Sequence, residues 1–134
     1  MDIDKTRIKG TILEVLNIEY QEVTPERVVL TMPVGPATRQ PYGLLHGGAS
    51  VVLAETAASI GTYRNIDPTT QAAVGLEINA NHLRKKSDGI VTAIAVPLHK
   101  TRSTMVWDIK IVDENEQLIC VSRCTMAIIT RKHP

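Results

Sequence analysis

One carboxylate stands alone in a long apolar stretch of the sequence. Glu55 is the only charged residue in the segment GGASVVLAETAASIGTY, residues 47–63. Burying an unpaired carboxylate costs free energy or raises its pKa, and a helix does not need one. Glu55 is therefore a candidate reactive carboxylate, unless it lies in a wet groove or pairs with a distant arginine. Ser59, one turn further, is positioned to hold a water or the carboxylate, and Thr62 extends this polar stripe.

Donors for a developing negative charge are expected where the same segment begins. His46, Gly47 and Gly48 lie at the predicted helix start, where the first N–H groups lack partners and carry the positive end of the helix dipole. These groups suit an oxyanion, although two glycines also fit a simple tight turn. Gln40, in the preceding loop, adds a neutral donor. With Glu55 two turns along, the pattern predicts acyl transfer or hydrolysis at a carbonyl between them.

Other kinds of catalytic site are not indicated. His82 and His99 have no partner at the spacing of a catalytic triad. The segment GLLHGGAS lacks the Lys-Ser/Thr ending of a phosphate-binding loop. The four histidines are scattered, so no structural metal is expected. Cys120 and Cys124 would lie about 13 Å apart on one face of a strand, too far for a disulfide. We therefore expect two buried thiols.

The elements that must position these residues follow from the hydrophobic pattern. The pattern predicts a short amphipathic helix over 5–15 and a long, Ala-rich central helix over 47–63. Six strands are predicted, with TPE, RKKSDG and DENEQ as hairpin turns, and connections this short favour antiparallel pairing. One helix covers a six-stranded sheet only if the sheet curls around it, which gives an α+β fold. The two end strands leave free edges, which favour subunit pairing. The predicted strands are 18–23, 27–33, 73–83, 90–98, 104–112 and 118–129.

Composition limits the function further. The 134 residues fit one domain, 1–134, with 43% hydrophobic and 22% charged residues. A net charge of +1 gives no basic excess for nucleic acid or for an anionic membrane. The chain has no Phe and one Trp, so the core must be aliphatic. The polar start MDIDKTRIKG shows no signal sequence, and a cytoplasmic protein is expected.

The segment QPYGLLHGGASVVLAETAAS is similar to the helix signature of the hotdog-fold acyl-CoA thioesterases. It resembles the branch with phenylacetate-type, glutamate-dependent hydroxybenzoyl-CoA and enterobactin-proofreading enzymes. VGLEINANHLR, PLHKTRSTMVWDIKI and the C-terminal strand extend the resemblance to about 115 residues. It implies a hotdog fold, a long central helix wrapped by about six antiparallel strands. It also implies a homodimer, assembling to a homotetramer, with active sites between subunits.

The resemblance also implies roles for individual residues. Glu55 would attack the thioester carbon or activate water, and the Gly47 N–H would bind the thioester oxygen. Gln40 would polarise or place the thioester, His46 would support the loop and the thioester, and Ser59 is the hydroxyl one turn past the carboxylate. Coenzyme A would be part of the substrate, with no separate cofactor and no metal. Its contacts, unless these residues are merely solvated hairpin turns, would come from Asn81, His82, Arg84, Lys100, Arg102 and Ser103.

The expected reaction is hydrolysis of an acyl- or aryl-CoA thioester to a free acid and coenzyme A. An acyl-carrier-protein thioester is a second form of substrate, and the acyl group cannot be read from the sequence. Two other functions stay open: a hotdog enoyl-thioester hydratase or dehydratase, and a non-catalytic CoA-binding module. The spacing between the HGG motif and Glu55 favours hydrolysis over hydration, and a non-catalytic module is disfavoured because every expected catalytic position is filled.

Overall fold

One long helix and one six-stranded sheet account for most of the protein, which a computed structural model describes over residues 5–132. All six predicted strands are confirmed, each within two residues of its predicted ends, and the long helix has the predicted bounds. In chain order the elements are α1 (Lys5–Ile8), α2 (Ile12–Val15), β1 (Glu19–Val23), β2 (Val28–Pro33), α3 (Gly47–Tyr63), β3 (Gln71–His82), β4 (Ile90–Lys100), β5 (Thr104–Val112) and β6 (Leu118–Thr130).

The N-terminal segment is not one helix over 5–15, so that prediction is wrong. Gly10 separates α1 from α2 with φ +77°, a left-handed conformation that glycine adopts without steric cost. Thr11 is extended, with φ −111° and ψ 172°, and its hydroxyl donates a hydrogen bond to the Ile8 carbonyl. Leu16 and Ile18, at 8% and 4% exposure, then enter the core and anchor α2.

The sheet order is β1-β2-β4-β5-β6-β3, and every neighbouring pair is antiparallel. TPE and DENEQ close hairpins as predicted, but RKKSDG does not, because β3 pairs with β6 rather than with β4. Residues 83–89 instead cross the end of the β5–β6 hairpin. Seven extended residues reach about 23 Å, whereas the three strand spacings from β3 to β4 amount to about 14 Å. A short connection can therefore pass over two strands.

The helix packs on one face of the sheet through small side chains. Gly61 lies against the Trp107 indole, and a Cβ at that position would overlap the ring. Every second side chain of β5 is buried, since Met105, Trp107, Ile109 and Ile111 all lie in the core. A helix about 10 Å wide contacts the five strands β2–β6. Five strands span about 19 Å, so the sheet must curve around the helix, as the hotdog fold requires.

Two strands leave an edge, as expected. β1 and β3 end the sheet, and β3 has no partner on its outer side within residues 5–132. Val74 and Leu76 on β3 are 46% and 65% exposed, which is unusual for apolar side chains on a sheet. The prediction for the cysteines is confirmed, because Cys120 and Cys124 are both free and buried.

Candidate active site

Glu55 lies on an open face of α3. Its side chain is exposed, and none of residues 5–132 forms a hydrogen bond or an ion pair with its carboxylate. The carboxylate rests over β3, since a Cβ at Gly75 would lie 3.1 Å from Glu55 Oε2. The apolar residues of the segment lie all round the helix and predict burial on every side, which is wrong for the single chain. The face toward the sheet is buried, and the face that carries Glu55 is open.

A groove of about 460 Å³ runs beside this carboxylate and is called here the Glu55 groove. Ser59 lines it one turn after Glu55, as predicted. Thr62 does not, because it is fully buried. Its hydroxyl donates to the Ala58 carbonyl at 2.8 Å and accepts from Trp107 Nε1 at 2.9 Å. Trp107 covers the last turn of this face, and the predicted stripe ends at Ser59. The groove is lined by Ile12, Leu13, Val51, Val52, Glu55, Thr56, Ser59 and Ile60.

The start of α3 provides the expected donor. His46 caps the helix, with Nδ1 accepting from the Gly48 N–H at 2.8 Å. The Gly47 N–H has no hydrogen-bond partner within the described chain. It is one of the first-turn N–H groups that the helix itself cannot satisfy. The His82 ring packs against Gly47, where a Cβ would lie 2.8 Å from His82 Nε2. A free N–H beside an imidazole is a suitable site for a carbonyl oxygen.

Gln40 belongs to a second groove of about 380 Å³, called here the Gly47 groove. The side-chain Oε1 of Gln40 accepts hydrogen bonds from the Tyr42 N–H at 2.5 Å and from the Leu44 N–H at 3.4 Å, so this side chain stabilises its own loop. Ser50, one helical turn after Gly47, also lines this groove, and only its i+3 spacing from Gly47 could have indicated it. The lining residues are Gln40, Leu44, Leu45, Gly47, Ser50, His82, Leu83, Arg84, Lys85, Lys86 and Ile119.

The two grooves are separate within one chain. Gly47 and Glu55 are eight residues apart on α3, which corresponds to about 12 Å along the helix axis. The two grooves share no lining residue. The structure therefore does not place Glu55 and the Gly47 N–H around one carbonyl in a single subunit. Gln40, Gly47 and His82 come together, with His46 capping the helix beside them, whereas Glu55 and Ser59 form a second group.

The residues predicted to contact coenzyme A also form two groups. Arg84 lies in the Gly47 groove, at the end of β3. Lys100, Arg102 and Ser103 lie at the β4–β5 turn, at the opposite end of the sheet, where Lys100 Nζ donates to the Asn65 carbonyl at 2.9 Å. Asn81 is exposed on β3, next to His82. In one chain the cations therefore do not surround one site.

An ion pair that the sequence analysis missed fixes the wall of the Gly47 groove. Lys86 Nζ lies 2.6 Å from Glu114 Oε1, and Glu114 Oε2 accepts from the Ile90 N–H at 2.9 Å. These two donors lower the pKa of Glu114 to about 2. The Lys86 carbonyl accepts from the Leu45 N–H at 2.7 Å, so the pair also steadies the loop that carries Gln40. The two residues lie 28 positions apart, which no local spacing reveals.

The residues that the structure describes offer no cluster of His, Cys, Asp and Glu suited to a metal ion. No helix among them has the length and apolar character needed to cross a membrane. Burial raises the pKa of both thiols, that of Cys124 to about 12, so neither is a nucleophile near neutral pH.

Comparison with known proteins places this arrangement in a family. The sequence model of the thioesterase superfamily matches residues 42–120, which include α3 with Gly47, Glu55 and Ser59, and the start of β6, whereas Gln40 precedes the matched range. ComA2 of Bacillus subtilis is 60% identical over 124 residues, covering 92% of this chain and 98% of ComA2. The 1,4-dihydroxy-2-naphthoyl-CoA hydrolase of Listeria monocytogenes is 51% identical over 115 residues, covering 86% of this chain and 93% of that protein.

The structural comparison agrees. The crystal structure of a mutant thioesterase PA1618 from Pseudomonas aeruginosa superposes with a TM-score of 0.93 at 41% identity. The superposition covers 98% of this chain and 96% of that one. Fold, motif and relatives thus agree with one another. The chain belongs to the thioesterase superfamily and is an enzyme with the hotdog fold.

Proposed function

We propose that the protein hydrolyses an acyl- or aryl-CoA thioester to a free acid and coenzyme A. The observation that carries the proposal is the free Gly47 N–H at the start of the helix whose middle bears the unpartnered Glu55 carboxylate. The Listeria relative, named as a CoA-thioester hydrolase, supports the substrate class. That name does not determine which acyl group this chain accepts.

The chemistry follows from these groups. The thioester oxygen accepts a hydrogen bond from the Gly47 N–H, and the helix dipole favours the negative charge that develops there. Glu55 either attacks the thioester carbon, giving an anhydride that water then cleaves, or removes a proton from an attacking water. In both cases the C–S bond breaks and coenzyme A leaves as the thiolate. Ser59, one turn from Glu55, positions the water, while Gln40 and His46 hold the thioester loop.

The site needs two subunits, since one chain keeps Glu55 and Gly47 apart. Glu55 lies over Gly75 near one end of β3, and Gly47 lies against His82 at the other end. The outer edge of β3 is open in the described chain. Antiparallel pairing of β3 with a second copy reverses the strand direction. A twofold axis between residues 78 and 79 would place Gly75 opposite the partner's His82, and hence Glu55 beside the partner's Gly47.

The same reversal brings the basic groups together. Arg84 follows the His82 end of β3, and the turn with Lys100, Arg102 and Ser103 lies at the Gly75 end. In the paired arrangement the turn of one copy approaches Arg84 of the other. The phosphates of coenzyme A would then meet cations from both subunits. Assembly of such dimers into a tetramer and a cytoplasmic location stay predictions.

Mixing two inactive variants tests the proposal. Glu55→Ala and Gln40→Ala should each slow thiol release from acyl-CoA, the first by at least about 10²-fold. Random reassociation at equal amounts makes half of the dimers hybrid, each with one intact site of two. About one quarter of the wild-type activity should therefore return. The exposed turn residue Glu26, changed to alanine, is the control and should keep full activity. The buried cysteines do not react in the thiol assay.

Each failure has its own meaning. Near wild-type thiol release by Glu55→Ala would show that Glu55 does not take part in the reaction. A mixture no more active than its two components would rule out the two-subunit site. Hydration of crotonyl-CoA without release of free thiol would reassign the protein to the hydratases. Binding of coenzyme A without turnover of any acyl-CoA would indicate a non-catalytic module.

A further inference from the structure

We propose that the N-terminal turn α2 is the outer wall of the acyl site and that Ile12 sets the size of the acyl group accepted there. The site is the Glu55 groove, and its ligand is an apolar, uncharged acyl group. The inference rests on the proposed thioester hydrolysis, because it assigns one part of that substrate to one part of the molecule.

The lining of the Glu55 groove determines the chemical class of the ligand. Five of its eight lining residues are aliphatic. The Thr56 hydroxyl donates to the Val52 carbonyl at 2.6 Å, so the helix backbone satisfies this polar atom. The remaining polar groups are Glu55 and Ser59, one turn apart, beside the position of the reacting carbon. The rest of the groove offers only apolar contact, which suits a hydrocarbon or an aryl group.

Charge excludes an anionic acyl group. Among residues 5–132, no Lys, Arg or His lines the Glu55 groove. A second carboxylate on the acyl group would therefore find no counter-charge on the subunit that forms the groove and would face Glu55 at close range. Burying an unpaired charge beside a like charge is costly. We therefore expect the enzyme to reject dicarboxylic acyl-CoA thioesters such as succinyl-CoA.

Ile12 is the residue through which size is set. Leu13 also lines the groove, but it packs against the core. Ile12 remains 52% exposed, so its side chain contributes to the groove without filling the interior. The turn itself is held in place, because the Leu16 N–H donates to the Ile12 carbonyl and the Ile18 N–H to the Leu13 carbonyl, each at 2.9 Å. A change of side chain at Ile12 thus alters the wall and leaves its anchor intact.

A second copy of the chain is the competing occupant of this groove. The floor of the groove argues for the acyl group instead, because it carries the unpartnered Glu55 carboxylate with Ser59 beside it. An interface that covered the groove completely would bury that carboxylate without a partner. We therefore assign α2 and the Glu55 carboxylate to the same ligand, the acyl thioester.

The test measures kcat/KM by thiol release for acetyl-, hexanoyl-, benzoyl- and succinyl-CoA. Ile12→Trp should lower the ratio of benzoyl- to acetyl-CoA turnover by about tenfold or more, and Ile12→Ala should weaken the preference for hexanoyl- over acetyl-CoA. Val15→Ala is the matched control, because Val15 lies on the same turn, is 66% exposed and does not line the groove. The Tm of all three variants should stay near wild type.

The outcomes separate this inference from the proposed function. Equal changes for all four thioesters, no change at Ile12, or efficient hydrolysis of succinyl-CoA would each overturn the assignment of α2 while thiol release continued. A change of oligomeric state with uniform loss of activity would make the groove an interface between copies instead. If the wild-type protein released no thiol from any substrate, the proposed function itself would be wrong.

Discussion

One hydrogen bond between buried side chains of residues 5–132 joins the long helix to the middle of the sheet. It runs from Trp107 to Thr62. Trp107 Nε1 donates to Thr62 Oγ1 at 2.9 Å, and both residues have 0% exposure. Thr62→Val keeps the shape of the side chain but removes the acceptor. The buried indole N–H is then left unsatisfied, which costs about 1–3 kcal/mol.

The expected effect on stability is measurable. For a domain of this size, each kcal/mol lowers Tm by about 3–5 °C. Thr62→Val should therefore melt roughly 3–15 °C below wild type. Urea unfolding at one fixed protein concentration gives the free energy directly, and the concentration is fixed because the proposed subunit pairing would make stability depend on it. Thr62→Ser keeps the hydroxyl and is the matched control.

A double-mutant cycle decides whether the hydrogen bond is the cause. Trp107→Phe removes the donor, so Thr62→Val in that background leaves no orphaned N–H and should cost close to nothing beyond the first change. Fully additive losses would refute the reasoning, because they would show that the two side chains do not act through each other. A Thr62→Val variant as stable as wild type would refute it as well.

Two further predictions concern the Gly47 groove. Gly47→Ala places a Cβ 2.8 Å from His82 Nε2 and should slow thiol release by about tenfold or more. Gly35→Ala, with nothing within 4 Å of its Cβ, should not, and equal rates in the two variants would contradict this assignment. The Glu114 pKa is lowered to about 2, so its contribution to stability is present above its ordinary pKa of 4.5 and is lost as the pH falls toward 2. Glu114→Gln should flatten this part of the pH-stability profile, and a profile identical to wild type would show that the pair with Lys86 is not stabilising.

Much of the fold could be predicted because its signals are local. The alternation in β5 and the apolar segment with a carboxylate at Glu55 are visible within a few residues. The N-terminal break at Gly10 is also a local signal, and the apolar spacing outweighed it in the prediction. The β3–β4 connection was misjudged for a different reason, since its length is compatible both with a hairpin and with a crossing over two strands. β3 pairs with the side of β6 that β5 leaves free, so its place in the sheet depends on how the later strands are arranged.

The arrangement of the predicted site residues could not be read from the sequence. Ser59 and Thr62 both follow Glu55 at helical spacing, and only the position of Trp107 in the folded sheet separates the open one from the buried one. The distance between Glu55 and Gly47 is likewise fixed by the helix. In the proposed site, however, each of these residues acts together with the other one from a second chain. A single sequence carries no direct signal of the axis that relates two copies.

The edge strand β3, through which we propose that two subunits pair, is completed only after β6 has been made. β3 has no neighbour other than β6 in the sheet, and residue 71 pairs with 130 while residue 82 pairs with 120. Such distant contacts close slowly, and during translation β3 has to wait for β6. A nascent chain that ends before β6 therefore cannot present an ordered β3 edge. If subunits pair through β3 as proposed, a chain that lacks β6 would therefore stay out of the assembly.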